Sequence, residues 1–223
     1  MKFLILISGL LFSQAAYNQN CNFYYLQEGK TIEMTFKNKK GKETGRQVYS
    51  ISNVTKSGTT TTSTIHSEFF SDKGKSTTKA VNNIKCSQGV LMMDMKLFIP
   101  AAQQEQMGEA TAKAGNVYLE YPTDMKEGDM LKDSEFNMDY KMNGGIAASV
   151  AVSITERKVV GKETITTPAG NWDCFKITSK NKITTKVVVA IPIRAEVTEW
   201  YAPGFGVVKS DANGATTEIT SIK

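Results

Sequence analysis

The sequence predicts an all-β chain: an antiparallel meander forming a barrel or half-barrel, with one short helix. Three observations predict it. Apolar and polar side chains alternate at period two in run after run, glycine-centred reversals separate the runs, and threonine and valine recur throughout. Successive side chains of a strand point to opposite faces, so each run offers one apolar face to a shared interior.

Met1-Lys2, the uncharged apolar stretch Phe3 to Phe12 and the small-residue step Ser13-Gln14-Ala15 read as a cleavable export signal over residues 1–15, with residues 16–223 forming a single barrel-like domain. The apolar run is about ten residues, half of what a membrane-spanning helix needs, and no second run of spanning length follows. Cys21 comes after Tyr17-Asn18-Gln19-Asn20, residues too large and polar for a lipid-modification site. The product is therefore expected in the periplasm or outside the cell, soluble rather than lipid-anchored.

Ile32, Met34 and Phe36 then alternate with Thr31, Glu33 and Thr35, and Leu91, Met93, Met95 and Leu97 with Met92, Asp94 and Lys96. Pro100 to Ala114 is rich in Ala, Gln and Glu and lacks β-branched residues except Thr111, which predicts a helix placed to cross one opening of the barrel. Phe136, Met138, Tyr140 and Met142 share one face against Glu135, Asn137, Asp139 and Lys141. In Ile146 to Thr155 the face opposite Ile146, Ala148, Val150, Val152 and Ile154 carries only small side chains, leaving room for a covering element or a cavity. Reversals are predicted at Asn38-Lys39-Lys40-Gly41, Asp72-Lys73-Gly74, Ser87-Gln88-Gly89, Asn143-Gly144-Gly145, Pro168-Ala169-Gly170-Asn171 and Asp211-Ala212-Asn213-Gly214.

The formal charge of +5 is spread along the chain and fits a solvated surface. The densest basic stretch, Lys37 to Lys42, spans a predicted reversal without interleaved aromatics, so no nucleic-acid partner is expected. Export places Cys21, Cys86 and Cys174 in an oxidising compartment, where one pair bridges. Cys21 in the N-terminal lead and Cys86 at a strand end beside Ser87-Gln88-Gly89 are the favoured pair, with Cys174 a buried small hydrophobe.

Catalytic chemistry has little to work with. His66 is the one histidine, and no nucleophile-elbow motif accompanies it. Asp94, Asp129, Asp133, Asp139, Glu196 and Glu199 are the carboxylates that a paired-acid hydrolase would draw on, but most fall on polar strand faces or in turns, where solvation explains them. Three scattered cysteines and one histidine do not make a zinc site. Thioether ligation of monovalent copper by Met93 and Met95 is outweighed by the continuation of their face into Leu91 and Leu97. No catalytic residue, metal or cofactor is assigned.

Several phrases resemble the TapB-like family of exported bacterial proteins, whose domain has no assigned activity. They include Cys21-Asn22-Phe23-Tyr24, Gln27-Glu28-Gly29, Asp72-Lys73-Gly74-Lys75, Ile84-Lys85-Cys86, Tyr121-Pro122 and Gly128-Asp129-Met130-Leu131. The longest runs from Arg157 through Thr167-Pro168-Ala169-Gly170 to Ile177, and Trp200-Tyr201-Ala202-Pro203-Gly204-Phe205-Gly206-Val207-Val208-Lys209 closes the set. The resemblance implies a β-rich, barrel-like exported domain with no family catalytic residues to carry over. Its loops read as structural punctuation, Pro203 to Gly206 breaking a strand so that Trp200 and Val207 both reach the core.

The leading functional expectation is a non-enzymatic protein holding an apolar or lipid-like molecule against Met34, Met93, Met95, Phe136, Met138, Tyr140 and Met142, since thioethers give an adaptable pocket lining. The alternatives are an envelope module with a dry core and a protein partner, and a carboxylate-based hydrolase.

Overall fold

Thirteen antiparallel strands join edge to edge into one curled sheet in the computed structural model, which describes residues 21–99, 107–111, 117–142 and 145–223. The predicted export signal lies outside the described residues. In chain order the strands are β1 (Thr31–Lys37), β2 (Glu43–Ser57), β3 (Thr60–Ser71), β4 (Ser76–Ser87), β5 (Val90–Asp94), β6 (Met107–Thr111), β7 (Tyr118–Pro122), β8 (Ser134–Met142), β9 (Ala147–Thr167), β10 (Gly170–Lys186), β11 (Ala190–Ala202), β12 (Gly206–Ala212) and β13 (Ala215–Ile222). Consecutive strands pair from β1 to β5 and from β8 to β13, and β13 joins the two runs by pairing with β1. Edge strands β6 and β7 complete the sheet on β8 and β5.

The alternation works as expected. Ile32, Ile51, Ile65, Ile84, Leu91, Leu119 and Ile177 are all within two per cent of complete burial and form one core. Tyr24–Leu26 makes a short 3-10 turn that tucks Tyr25 into this core, where its backbone carbonyl accepts the Ser63 hydroxyl at 2.7 Å. Gly206, at φ +131°, lets the chain pass this plug, since a Cβ there would sit 3.1 Å from the Tyr25 ring. The lead is fastened by the expected Cys21–Cys86 disulfide, while Cys174 is free and buried.

Strand β9 carries the largest departure from simple alternation. Val150, Val152 and Ile154 face inward, but Glu156 adopts φ +52° and the phase slips, so that Arg157 and Val159 are the next inward residues. The register against β10 shifts in the same region, as a β-bulge requires. Beyond the end of β8, the segment 128–131 continues the pairing along β9: Leu131 donates to the Arg157 carbonyl, Val159 to Asp129 and Gly128 to Val159.

The gap between this segment and β7 is crossed by side chains. Arg157 Nη1 donates to the Glu120 and Lys132 carbonyls at 2.9 and 3.0 Å, Ser134 donates to the Tyr118 carbonyl at 3.1 Å, and Lys132 pairs with Glu120 at 2.7 Å. The barrel is thereby nearly closed.

Two local expectations need correction. Residues 107–111, inside the predicted helix, are strand β6; the rest of Pro100 to Ala114 lies outside the described residues. Helix propensity is worth under about 1 kcal/mol per residue, and the unpaired edge of β8 supplies a ladder for these backbone groups. Alternation from Leu91 stops at Asp94, whose carboxylate accepts from the Lys96 amide to begin a 3-10 turn over Met95–Phe98. Trp200 and Val207 both pack against the core as expected, partly buried, with Lys176, Lys209 and Glu163 beside the Trp200 ring, and the Pro203 to Gly206 reversal also buries Phe205 and Val208.

Replacing Cys21 by Ser is expected to lower the unfolding free energy by about 2–4 kcal/mol, because the bond closes a loop of sequence separation 65. Guanidinium denaturation under non-reducing conditions measures it, and an unchanged midpoint would contradict the tethering role.

Candidate functional site

The seven predicted lining residues do share the interior. Met34, Met93, Met95, Phe136, Met138 and Tyr140 are each at most 8% exposed, and Met142 packs half-buried beside them. The small-residue face of Ala147 to Thr155 turns the other way and is half-buried to exposed. Phe136, Met138 and Tyr140 pair with Val152, Val150 and Ala148, so β8 and β9 present a continuous apolar surface.

A separate opening was not singled out by the sequence, and none of these seven residues lines it. It is a cleft of about 410 Å³ lined by Thr123, Lys162, Glu163, Thr164, Asp173, Cys174, Phe175 and Pro203. That volume falls within the range that small-molecule sites occupy. The cleft forms where β7 and β11 end and the β9–β10 hairpin turns. Phe175 is its apolar floor, and the Lys162 ammonium stands 4.6 Å above that ring. The acids at the rim are engaged: Glu163 accepts from Trp200 and lies 3.3 Å from Lys176, while Asp173 accepts from Thr164 at 2.6 Å. Hydrogen bonding to Trp200 holds the Glu163 carboxyl below its ordinary value.

Period two connects the cleft to a buried polar cluster. Two residues inward from Thr123 and Pro203 are Tyr121 and Tyr201, whose rings stack 5.0 Å apart and nearly parallel; Tyr201 is also the β-pair of Phe175. Arg157 places its guanidinium 4.7 Å from the Tyr121 ring centre, and the Tyr121 hydroxyl donates to Glu199 Oε2 at 3.0 Å. Arg157 and Tyr121 are wholly buried, Tyr201 is 1% exposed and Glu199 6%. Among the described residues, Arg157 Nε and Nη2 and the Tyr201 hydroxyl have no hydrogen-bond partner. Burial pushes the Glu199 carboxyl above its ordinary value, against the pull of the Arg157 charge and the Tyr121 hydroxyl. Burial likewise raises both tyrosines, Tyr121 further because the Glu199 charge opposes its ionisation.

The candidate carboxylates separate into different environments. Glu199 belongs to this cluster, and Asp94 is fully buried 3.2 Å from Lys96 Nζ, so neither is solvated as its sequence context suggested. Glu199 lies on the inward face of β11 in phase with Val197 and Tyr201; Asp94 caps a turn. Asp129, Asp133, Asp139 and Glu196 are exposed. His66 is exposed and hydrogen-bonds Ser52 at 3.0 Å. Among the described residues no group of three or more His, Cys, Asp or Glu is placed to hold a metal ion, and no helix is long and apolar enough to cross a membrane.

A family model described as DUF3108-like matches residues 27–222. Two solved structures are similar in fold. One is a Bacteroides fragilis chain described as an exported protein with a YmcC-like fold: 23% identity, 88% of this chain and 96% of that one covered, TM-score 0.71. The other is a Parabacteroides distasonis chain described as a lipoprotein: 21% identity, 92% of this chain and 100% of that one covered, TM-score 0.74. No curated protein matches.

Arg157→Ala is expected to destabilise the fold by about 3–5 kcal/mol, since it strips Glu199 of its countercharge and leaves the Glu120 and Lys132 carbonyls unpaired. Urea denaturation reads this, and a loss below about 1 kcal/mol would contradict it. Burial, aided by the Asp173 and Glu163 charges, pushes the Cys174 thiol up to about 12. The native protein is therefore expected to react with an aromatic disulfide reagent at mildly alkaline pH at least about a hundredfold more slowly than the unfolded chain. Equal rates would show the thiol to be open.

Proposed function

The chain belongs to the DUF3108-like family, and on that premise we propose that it is an exported, non-catalytic binding protein that takes an apolar or lipid-like molecule through the cleft toward its methionine- and aromatic-lined interior. The observation that carries this reading is the cleft itself: Phe175 gives it an apolar wall, Lys162 stands over that ring, and Tyr201, stacked on Tyr121, is the β-pair of Phe175. Such a mouth suits a ligand with an apolar body and an anionic or polar head. Export is supported by the leader-like residues 1–15, by a disulfide of the kind that persists outside the cytosol, and by the descriptions of the two structural neighbours. The TapB-like resemblance of the strand-end phrases fits the same picture.

A second reading, an envelope module with a dry core, is favoured by the near-complete burial of Met34, Met93, Met95, Phe136, Met138 and Tyr140. The two differ in one measurable property. Purified protein, stripped of bound lipid, is expected to take up a fluorescent fatty acid, and Thr123→Trp at the exposed rim is expected to weaken that uptake by about tenfold or more. If native mass spectrometry finds only unliganded protein and titration shows no uptake, the dry-core reading replaces the binding one.

A further inference from the structure

The end of the barrel opposite the cleft has a separate surface feature. Strand β10 stays paired to β9 through its last residue, Lys186, whereas β11 runs past β12, which pairs with it only as far as Val197. The end of the β10–β11 hairpin exposes large apolar side chains: Val188 is 87% exposed, Val189 71%, Ile191 64% and Ile193 51%. Ile146, at the β8–β9 reversal of the same end, is 56% exposed. Isolated exposed apolar residues are ordinary, but five at one end of the sheet are not.

The charge around this tip has one dominant sign. From Lys180 to Ala195 the sequence carries Lys180, Lys182, Lys186 and Arg194 and no acid, and of these Lys180 is engaged with Glu156 at 2.7 Å. The neighbouring reversals add cations. Asn213 on the β12–β13 turn hydrogen-bonds the Arg194 carbonyl, and the adjacent Gly214 lies beside Lys39 of the β1–β2 turn, which also exposes Lys40 and Lys42. The acids at this end, Glu43, Asp72, Asp139, Glu196 and Asp211, are outnumbered by Lys39, Lys40, Lys42, Lys73, Lys75, Lys141, Lys182, Lys186 and Arg194.

We propose that this hairpin is a membrane-docking element that inserts Val188, Val189 and Ile191 into the interface of a bilayer rich in anionic phospholipid, with Lys182, Lys186 and Arg194 on the headgroups. An apolar edge of this size reaches about 5–10 Å into the headgroup boundary, and basic residues beside it add attraction that depends on anionic lipid and falls with salt. Charge selects this occupant. A second copy would bring the same cations against themselves, whereas an anionic surface complements them.

Co-sedimentation of the purified protein with vesicles of phosphatidylcholine alone, or of phosphatidylcholine with phosphatidylglycerol, tests this. The protein is expected to sediment with the phosphatidylglycerol vesicles, less so in high salt. Val188→Asp with Val189→Asp is expected to cut partitioning by about tenfold or more, while Val81→Asp, an exposed strand position elsewhere, leaves it unchanged. Val188→Trp is expected to shift its emission to the blue on phosphatidylglycerol vesicles. Protein that stays in the supernatant with both vesicle types, or a double variant that sediments like the parent, overturns the proposal. So does a dimer seen by analytical ultracentrifugation that the double variant abolishes without any vesicle binding, which would assign the tip to a second copy.

Discussion

A sheet curled until its edges approach each other must either complete its hydrogen-bond ladder or find another way to satisfy the backbone groups it brings inside. Here Arg157 supplies the other way. Its Nη1 reaches two carbonyls across the gap between β7 and the 128–134 segment, and the Ser134 hydroxyl and the Lys132–Glu120 pair lie along the same seam. A wholly buried guanidinium needs compensation for lost hydration, and this requirement organises its surroundings. Glu199 provides countercharge, Tyr121 gives both an aromatic face to the cation and a hydroxyl to the acid, and Tyr201 stacks on Tyr121. The polar cluster beneath the cleft is thus the inner side of barrel closure, so the shape of the mouth and the integrity of the seam are coupled.

Much of the fold was legible because a two-residue period has one structural meaning when it repeats over many strands. The inward faces of β1, β5, β8 and the first half of β9, the Cys21–Cys86 pairing and most reversals could be read from residue type alone. The seam could not. Its key residue becomes inward-facing through a phase slip at Glu156, and Glu156-Arg157-Lys158 looks like a solvated polar stretch. The available signal was that apolar positions fall on even numbers up to Ile154 and include the odd-numbered Val159 afterwards. Glu199 offered a comparable clue, lying between Val197 and Tyr201 on an apolar face. The helix expected within Pro100 to Ala114 failed over 107–111 because local preference is weaker than an available strand edge.

The cleft was invisible for a different reason. Its walls come from the ends of β7 and β11 and from the β9–β10 hairpin, segments distant in sequence whose proximity depends on how the sheet curls. The inward methionines, by contrast, were easy to find and less decisive, since the same thioether faces suit a packed interior and an adaptable one. Family membership and the two similar folds agree with the architecture.

The two ends of β10 have opposite characters. Near its start are the cleft and the plugged, disulfide-fastened end of the barrel; at its finish is the bare valine hairpin. The strand from Gly170 to Lys186 rises by roughly 50 Å, so it acts as a ruler that fixes how far one end stands from the other. A protein resting on its valine tip would hold its mouth clear of the lipid surface, facing the aqueous space. Cargo would then be exchanged with something approaching from that side, and the bilayer beneath would serve as a mooring.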